Sequence, residues 1–187
     1  EFMGIAQGPF KYNKIDGTYD PKWKDIDPID FVEESINKAL EFGAKRCSGL
    51  GEVEYGSTYL LTSGNVEAEE EATCFDISIR ALCDKYSSGH SYFTSRTFNK
   101  FDYLSAAEEA GTIAKDSLNP EAGKSGKYDV VFSPLAFAPI LDSVGSSASI
   151  FSVESGLSFL NNFMNKKIAS DNFNLYDDAT YTDGIGS

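Results

Sequence analysis

The chain has 187 residues, of which 41% are hydrophobic and 13% aromatic, and its formal net charge is −13. These are the values of a globular chain that is long enough to bury a sizeable core, so wholesale disorder is excluded. The excess of acidic residues argues against nucleic-acid binding, which needs a basic surface to displace counterions from phosphates.

The cysteines indicate a reducing compartment. Cys47, Cys74 and Cys83 are an odd number and show no Cys-x-x-Cys spacing, which suits reduced, mostly buried thiols better than a disulfide framework. No apolar run reaches the length that spans a membrane. We therefore expect a cytoplasmic protein that does not contact a membrane.

Residues 1–26 are predicted to be a tag remnant followed by an extended arm. Glu1 and Phe2 precede Met3, and turn signals such as Gly8-Pro9 follow without helical or alternating periodicity. The arm is expected to pack through four aromatic side chains: Phe10, Tyr12, Tyr19 and Trp23.

Residues 27–120 are predicted to form an α+β domain in which an antiparallel β meander is flanked by helices. The first helix should begin with Asp27 as its cap and Pro28 in its first turn, and it should end at Gly43. Its predicted inward stripe is apolar: Ile29, Val32, Ile36, Ala39 and Leu40. The second helix spans about residues 104–118 and has an alanine-rich stripe.

The meander is predicted between the two helices, where the hydrophobic period changes to two. Strands are expected at 49–55, 58–62, 66–85 and 90–98, with turns at Gly56-Ser57, at Gly64-Asn65 and at 86–89. In the third strand Phe75, Ile77 and Ile79 should face the core, and the residues between them should face water.

Residues 121–127 read as a linker, and residues 128–187 as the strand–helix start of a second α+β domain. The apolar run 128–132 is predicted to be a buried strand, and Ser133-Pro134 is a typical helix start. A further helical stretch is expected over about 151–164, and a strand is expected to start at Leu175-Tyr176.

The second domain carries a resemblance to a known family. The run Tyr-Asp-Val-Val-Phe-Ser-Pro-Leu-Ala-Phe-Ala-Pro-Ile-Leu from Tyr128, and Ser-Phe-Leu-Asn-Asn-Phe-Met-Asn-Lys-Lys from Ser158, resemble the TldD/PmbA family. This family is also known as the modulator of DNA gyrase or TldD/TldE metallopeptidase family. Upstream, Ile77-Ser-Ile-Arg-Ala and Ser88-Gly-His-Ser are similar to its middle region.

The resemblance implies a subunit type. In the TldD-type subunit of the family, the helix after this strand carries His-Glu-x-x-x-His, which binds the zinc of a peptidase. The aligned positions here are Asp142, Ser143 and Ser147, so the chain resembles the PmbA/TldE branch, which lacks the motif.

It follows from the resemblance that the chain has no metal, no cofactor and no catalytic residue of its own. Its expected partner is a TldD-type metallopeptidase subunit, or another copy of itself, with which it holds a peptide or small unfolded protein. The family's C-terminal region continues beyond the point that residue 187 reaches, so the chain is expected to be a fragment.

Two other function classes remain open. If the hairpin turns at 86–89, Cys83 and His90 are diagonal cross-strand neighbours, and an independent cysteine hydrolase is conceivable. A serine hydrolase would use Ser143, Ser146, Ser147 or Ser149, although no Gly-x-Ser-x-Gly motif supports it. The third hypothesis is a non-catalytic protein-binding module.

The acidic runs favour solvated surface over a cation site. They lack the spacing of a calcium loop. Their members are Glu67, Glu69, Glu70, Glu71, Asp177, Asp178 and Asp183.

Overall fold

The computed structural model describes residues 4–12, 15–98, 101–182 and 184. The predicted tag remnant, Asp183 and the Ile185-Gly186 pair lie outside the described residues. The chain divides into two compact units, Glu1–Ala122 with Ala179–Ser187, and Gly123–Asp178. Within the described ranges, we find no helix with the length and apolar character needed to span a membrane.

The first unit is built on a three-stranded antiparallel sheet in the order β1-β2-β3. The strands are β1 (Arg46–Leu61), β2 (Glu67–Leu82) and β3 (Ser88–Ser95). Two helices, α1 (Ile29–Glu41) and α2 (Tyr103–Asp116), pack on one face, and a 3₁₀ helix at Pro21–Asp25 precedes them. The predicted α+β class is thus confirmed.

The alternation in β2 separates the two faces of the sheet. Phe75, Ile77 and Ile79 are at most 3% exposed beneath the helices, as predicted. The intervening Asp76 and Arg80 lie on the opposite face, hereafter the open face. A half-buried antiparallel sheet shows this pattern because successive side chains point to opposite sides.

Small residues set the distance between α2 and its neighbours. After Tyr103, the buried residues of α2 are all small: Ala106, Ala107, Ala110, Gly111 and Ala114. A Cβ on Gly89 of β3 would lie 2.1 Å from the Ala110 carbonyl oxygen, and one on Gly111 would lie 2.7 Å from that of Ala39. The backbones therefore approach so closely that there is no room for a methyl group.

The inward face of α1 differs from the predicted apolar stripe. Ala39 and Ser35 are fully buried, whereas Ile29, Ile36 and Leu40 are 64%, 39% and 40% exposed. The helix turns its small residues toward α2 because only these allow the contact at Gly111. The predicted ends are close to those found, since the Asp27 carboxylate accepts the Ile29 N–H at 3.0 Å and Gly43 has φ +124°.

Two turns of the meander were wrongly placed. The predicted turn at Gly56-Ser57 does not exist, because β1 runs through both residues and pairs continuously with β2. The sequence contains turn residues there, but sixteen consecutive cross-strand pairs override them. The turn before β3 lies between Leu82 and Ser88, earlier than predicted, whereas the turn at Gly64-Asn65 is confirmed, with Asn65 at φ 60°.

An aromatic cluster forms part of the core of the first unit. The indole ring of Trp23, 1% exposed, stacks on Phe98 at 4.1 Å and on Phe75 at 5.2 Å between centroids. Its Nε1–H donates to the Arg96 carbonyl at 2.8 Å. Of the arm's predicted anchors, Trp23 is confirmed, but Phe10 and Tyr12 are 49% and 58% exposed.

The second unit contains α3 (Pro134–Ala148) and the short α4 (Ile150–Glu154). The predicted strand 128–132 is not formed, and Val131 is 99% exposed. An apolar run becomes a strand only when another strand pairs with it, and the described residues of this unit provide none.

The other two predictions for this unit are also corrected. The expected helix over 151–164 stops after Glu154, because Gly156 adopts φ +71° and ends it. Leu175 and Tyr176 lie in irregular backbone rather than in a strand.

Candidate functional site

Helix α3 starts as its sequence predicts. The Ser133 hydroxyl accepts the Ala136 N–H at 3.4 Å, and Pro134 occupies the first turn. The cap satisfies one free amide, and proline costs nothing at a position whose N–H has no helical partner. This start fixes where the following residues stand on the helix.

Asp142, Ser143 and Ser147 all lie on α3, in its second half. The Ser143 hydroxyl donates to the Pro139 carbonyl at 3.0 Å, and the Ser147 hydroxyl donates to the Ser143 carbonyl at 2.8 Å. Both are bonds to the preceding helical turn, which serine makes readily. Asp142 is exposed.

These residues do not fit a zinc site. Zinc in proteins is held by thiolates, imidazoles and carboxylates, and the three positions offer a single carboxylate and two hydroxyls that donate to carbonyls. In the part of the chain that is described, no three His, Cys, Asp or Glu side chains are grouped as metal ligands would be. These three positions therefore provide at most one zinc ligand.

The serines after α3 join the end of this helix to the following segment. The Ser158 hydroxyl donates to the Ser147 carbonyl at 2.5 Å, and the Ser152 hydroxyl donates to the Ser146 carbonyl at 2.8 Å. Ser158 is 7% exposed. A serine nucleophile needs a base that takes its proton, whereas the hydroxyls of the predicted candidates Ser143 and Ser147 donate to carbonyl oxygens.

The structure does not bring Cys83 and His90 together. His90 pairs with Arg80 and therefore lies on the open face, where its Nε2 is 3.0 Å from the Ser78 hydroxyl. The buried Cys83 thiol instead donates to the Gly43 carbonyl at 3.0 Å. The expected diagonal contact depended on a turn at 86–89, and the shorter β2 changes the register.

A polar cluster on the open face was not predicted. The Asp76 carboxylate accepts hydrogen bonds from the Tyr92 hydroxyl and, at 3.3 Å, from the Cys74 thiol. Cys74 is also 3.3 Å from the Thr94 hydroxyl. The alternation of Cys74 and Asp76 in β2 placed them on one face, but only the register of β3 shows that Tyr92 and Thr94 join them.

Burial makes two of the thiols poor nucleophiles. It raises the pKa of Cys74 from 9.0 to about 11, with the neighbouring Asp76 adding to the effect against the opposing Thr94 hydroxyl. Burial likewise raises the pKa of Cys47. Reactive cysteines have lowered pKa values, so these two thiols have the opposite character.

The acidic residues of β2 pair with tyrosines. The Tyr55 hydroxyl donates to Glu71 at 2.8 Å, and the Tyr59 hydroxyl donates to Glu67. Asp177 and Asp178 are exposed in irregular backbone, and Asp183 lies outside the described residues. The expected exposure thus holds for the described residues of both runs, and the structure adds tyrosine partners for Glu67 and Glu71.

Family models match both units of the chain. The model described as PmbA/TldA metallopeptidase central domain matches residues 19–118, and the one described as PmbA/TldA metallopeptidase C-terminal domain matches residues 125–187. The chain belongs to the PmbA/TldA metallopeptidase family. The resemblance to the TldD/PmbA family is thereby confirmed.

Two solved structures share the fold of this family member. A proposed modulator of a DNA gyrase from Thermotoga maritima has a TM-score of 0.75 at 16% identity, over 86% of this chain and 39% of that chain. A proposed modulator of DNA gyrase from Bacteroides thetaiotaomicron has a TM-score of 0.67 at 26% identity, over 87% of this chain and 39% of that chain. This PmbA/TldA chain thus spans well under half of either relative. No curated protein matches it significantly.

Proposed function

We propose that this chain is part of a PmbA/TldE-like subunit, which holds no catalytic metal and acts with a TldD-type metallopeptidase subunit. The pair would hold peptides or small unfolded proteins for hydrolysis by the metal-bearing partner. Support comes from the family, whose models describe metallopeptidase domains, and from the composition of α3.

The donor set on α3 is the observation that carries the proposal. In a TldD-type subunit the aligned positions would supply two imidazoles and a general base. Here they supply Asp142 and two serines whose hydroxyls bond to carbonyls of the same helix. A carboxylate alone does not make a zinc site, which takes three or four protein ligands.

The alternatives have less support. An independent cysteine hydrolase loses its geometric basis, because Cys83 and His90 have separate partners. The names of the solved relatives refer to DNA gyrase, but the net charge of −13 disfavours direct contact with DNA. A non-catalytic binding module is compatible with the fold, and the subunit proposal is its specific form.

Metal content tests the proposal. The purified chain, incubated with zinc and dialysed, should contain far less than one zinc per chain by elemental analysis, because the ligand set is incomplete. Asp142→Ala should not change the content, and Asp129→Ala, another exposed aspartate of the same unit, serves as the control. About one zinc per chain, lost in Asp142→Ala and retained in Asp129→Ala, would overturn the proposal.

A further inference from the structure

The β1–β2 hairpin continues beyond the helices as a two-stranded ribbon, formed by residues 55–61 paired with 67–73. We call it the Tyr/Glu ribbon. Tyr55, Tyr59 and Leu61 are 45%, 61% and 68% exposed on it. These two tyrosines and the leucine are not part of either buried apolar cluster.

One edge of the ribbon has unpaired backbone groups. The Thr62 N–H donates to the Val66 carbonyl at 3.0 Å, so Thr62 directs its backbone groups toward β2. Residues of an antiparallel strand direct these groups alternately to either side. Tyr55, Ser57 and Tyr59 therefore direct theirs outward, where no strand of the described chain pairs with β1.

The strand behind this edge, β2, is strongly acidic. Glu67, Glu69 and Glu71 stand on the same face as the tyrosines, since they pair with Leu61, Tyr59 and Ser57. From residue 55 to residue 73 the sequence contains four glutamates and no Lys, Arg or His. The tyrosine hydroxyls donate to Glu67 and Glu71, which leaves the ring faces and the other carboxylate lone pairs for a cation.

A cation already occupies one end of this face. The Lys24 ammonium lies 4.1 Å from the centroid of the Tyr55 ring and 5.7 Å from that of Tyr19. The hydrogen bond to Tyr55 and, to a lesser extent, the one to Tyr19 raise the pKa of Lys24. Among the described residues no ammonium lies over Tyr59, four positions further along the same strand and the more exposed of the two rings.

We propose that the Tyr/Glu ribbon binds an extended basic segment of a partner protein, which adds to the free edge of β1 as a strand. Main-chain hydrogen bonds to Tyr55, Ser57 and Tyr59 hold the segment, and alternate Lys or Arg side chains lie over Tyr59 and against Glu69. A second copy of this chain is a poor occupant, because its own edge residues 55–61 include no Lys or Arg to meet Tyr59 and Glu69.

The test uses the full chain and a fluorescein-labelled seven-residue peptide with lysine at alternate positions. Fluorescence anisotropy should show binding that weakens with added salt, since exposed charges are screened. Glu69→Lys should weaken it by about fivefold to tenfold, because it replaces an attraction by a repulsion. Glu121→Lys changes the net charge equally at an exposed site outside the ribbon, and it should leave the affinity within about twofold.

Two further peptides test the charge requirement and the backbone pairing separately. A peptide with glutamate in place of lysine should not bind, and the lysine peptide with N-methylated amides at alternate residues should bind at least about tenfold more weakly, because it cannot pair with the edge. Equal effects of Glu69→Lys and Glu121→Lys would mean unspecific charge attraction. This outcome would overturn the proposal. The proposal would also be overturned if the lysine and glutamate peptides bound equally, or if the N-methylated peptide bound as tightly as the unmodified one.

Discussion

Asp76 lies between two hydrogen-bond donors on the open face of the sheet. It accepts hydrogen bonds from Tyr92 and Cys74, and the pKa of both donors is raised, chiefly by burial, to about 12 for Tyr92 and to about 11 for Cys74. Both donors are neutral when protonated, so the cluster is intact at neutral pH. Cys74 and Tyr92 lose their protons only at alkaline pH.

The raised pKa of Cys74 predicts a loss of stability at high pH. In the unfolded chain the thiol ionises near 9.0, whereas in the folded chain it ionises near 11. Its contribution is therefore complete below about pH 9 and is lost as the pH rises through 11, because the unfolded state releases its proton first. Urea unfolding from pH 8 to 11 should show the free energy of unfolding falling by about 1–3 kcal/mol more in the wild type than in Cys74→Ala. Equal slopes would contradict this assignment.

At the scale of elements, the spacing of α2 above the sheet depends on Gly89. A Cβ on Gly89 would meet backbone atoms of Ala110 and Ala114 at 2.1 Å and 2.7 Å. Backbone atoms cannot rotate away as a flexible side chain can, so the helix itself would have to move. Gly56, also in a strand, has nothing within 4 Å of such a Cβ.

The two glycines form a matched pair for mutation. Gly89→Ala should lower the free energy of unfolding by about 1–3 kcal/mol through overpacking. Gly56→Ala should be neutral or raise it by up to about 1 kcal/mol, since alanine restricts the unfolded chain. Thermal and urea unfolding of both variants measures the difference, and similar losses in the two would show that α2 does not approach β3 as closely as described.

The elements that the sequence predicted correctly are those whose local pattern agrees with their packing. β2 alternates and is half-buried, α2 has one alanine stripe, and α3 begins with Ser133-Pro134. The failures arose where distant residues decide. Gly56 lies inside β1 because β2 pairs with it, and α1 turns Ala39 inward because Gly111 faces it.

The candidate site shows the same division between local and distant information. The residue types at Asp142, Ser143 and Ser147 were visible in the sequence, and the structure adds that both hydroxyls bond to carbonyls within α3. The separation of Cys83 from His90 was not visible, because a shift of hairpin register moves a side chain to the other face. No local signal around Cys74 indicated its contact with Thr94 on the neighbouring strand β3.

At the scale of the whole molecule, the two units differ in how much apolar surface they bury. The first unit contains both clusters of buried apolar residues. In the second unit, Val131, Leu157 and Tyr176 are 99%, 78% and 81% exposed. Apolar surface on this scale is usually covered by a partner or by further protein.

Hydrogen exchange should distinguish the two units in a dilute sample of the chain. Amides of β2 and α2 should be strongly protected, whereas those of residues 128–178 should exchange close to the rate of an open chain, because few buried contacts oppose local opening. Protection of residues 128–178 should rise with protein concentration if another copy covers this surface. Uniformly strong protection of both units in a monomer would contradict the difference described here.

Trp23 is the single tryptophan of the chain, and it lies in the aromatic cluster of the first unit, stacked on Phe98 with its indole N–H bonded to the Arg96 carbonyl. Its fluorescence therefore reports the integrity of that cluster. Circular dichroism at 222 nm, in contrast, adds the helices of both units. The chain thus carries its own spectroscopic probe of the aromatic cluster, beside a signal to which both units contribute.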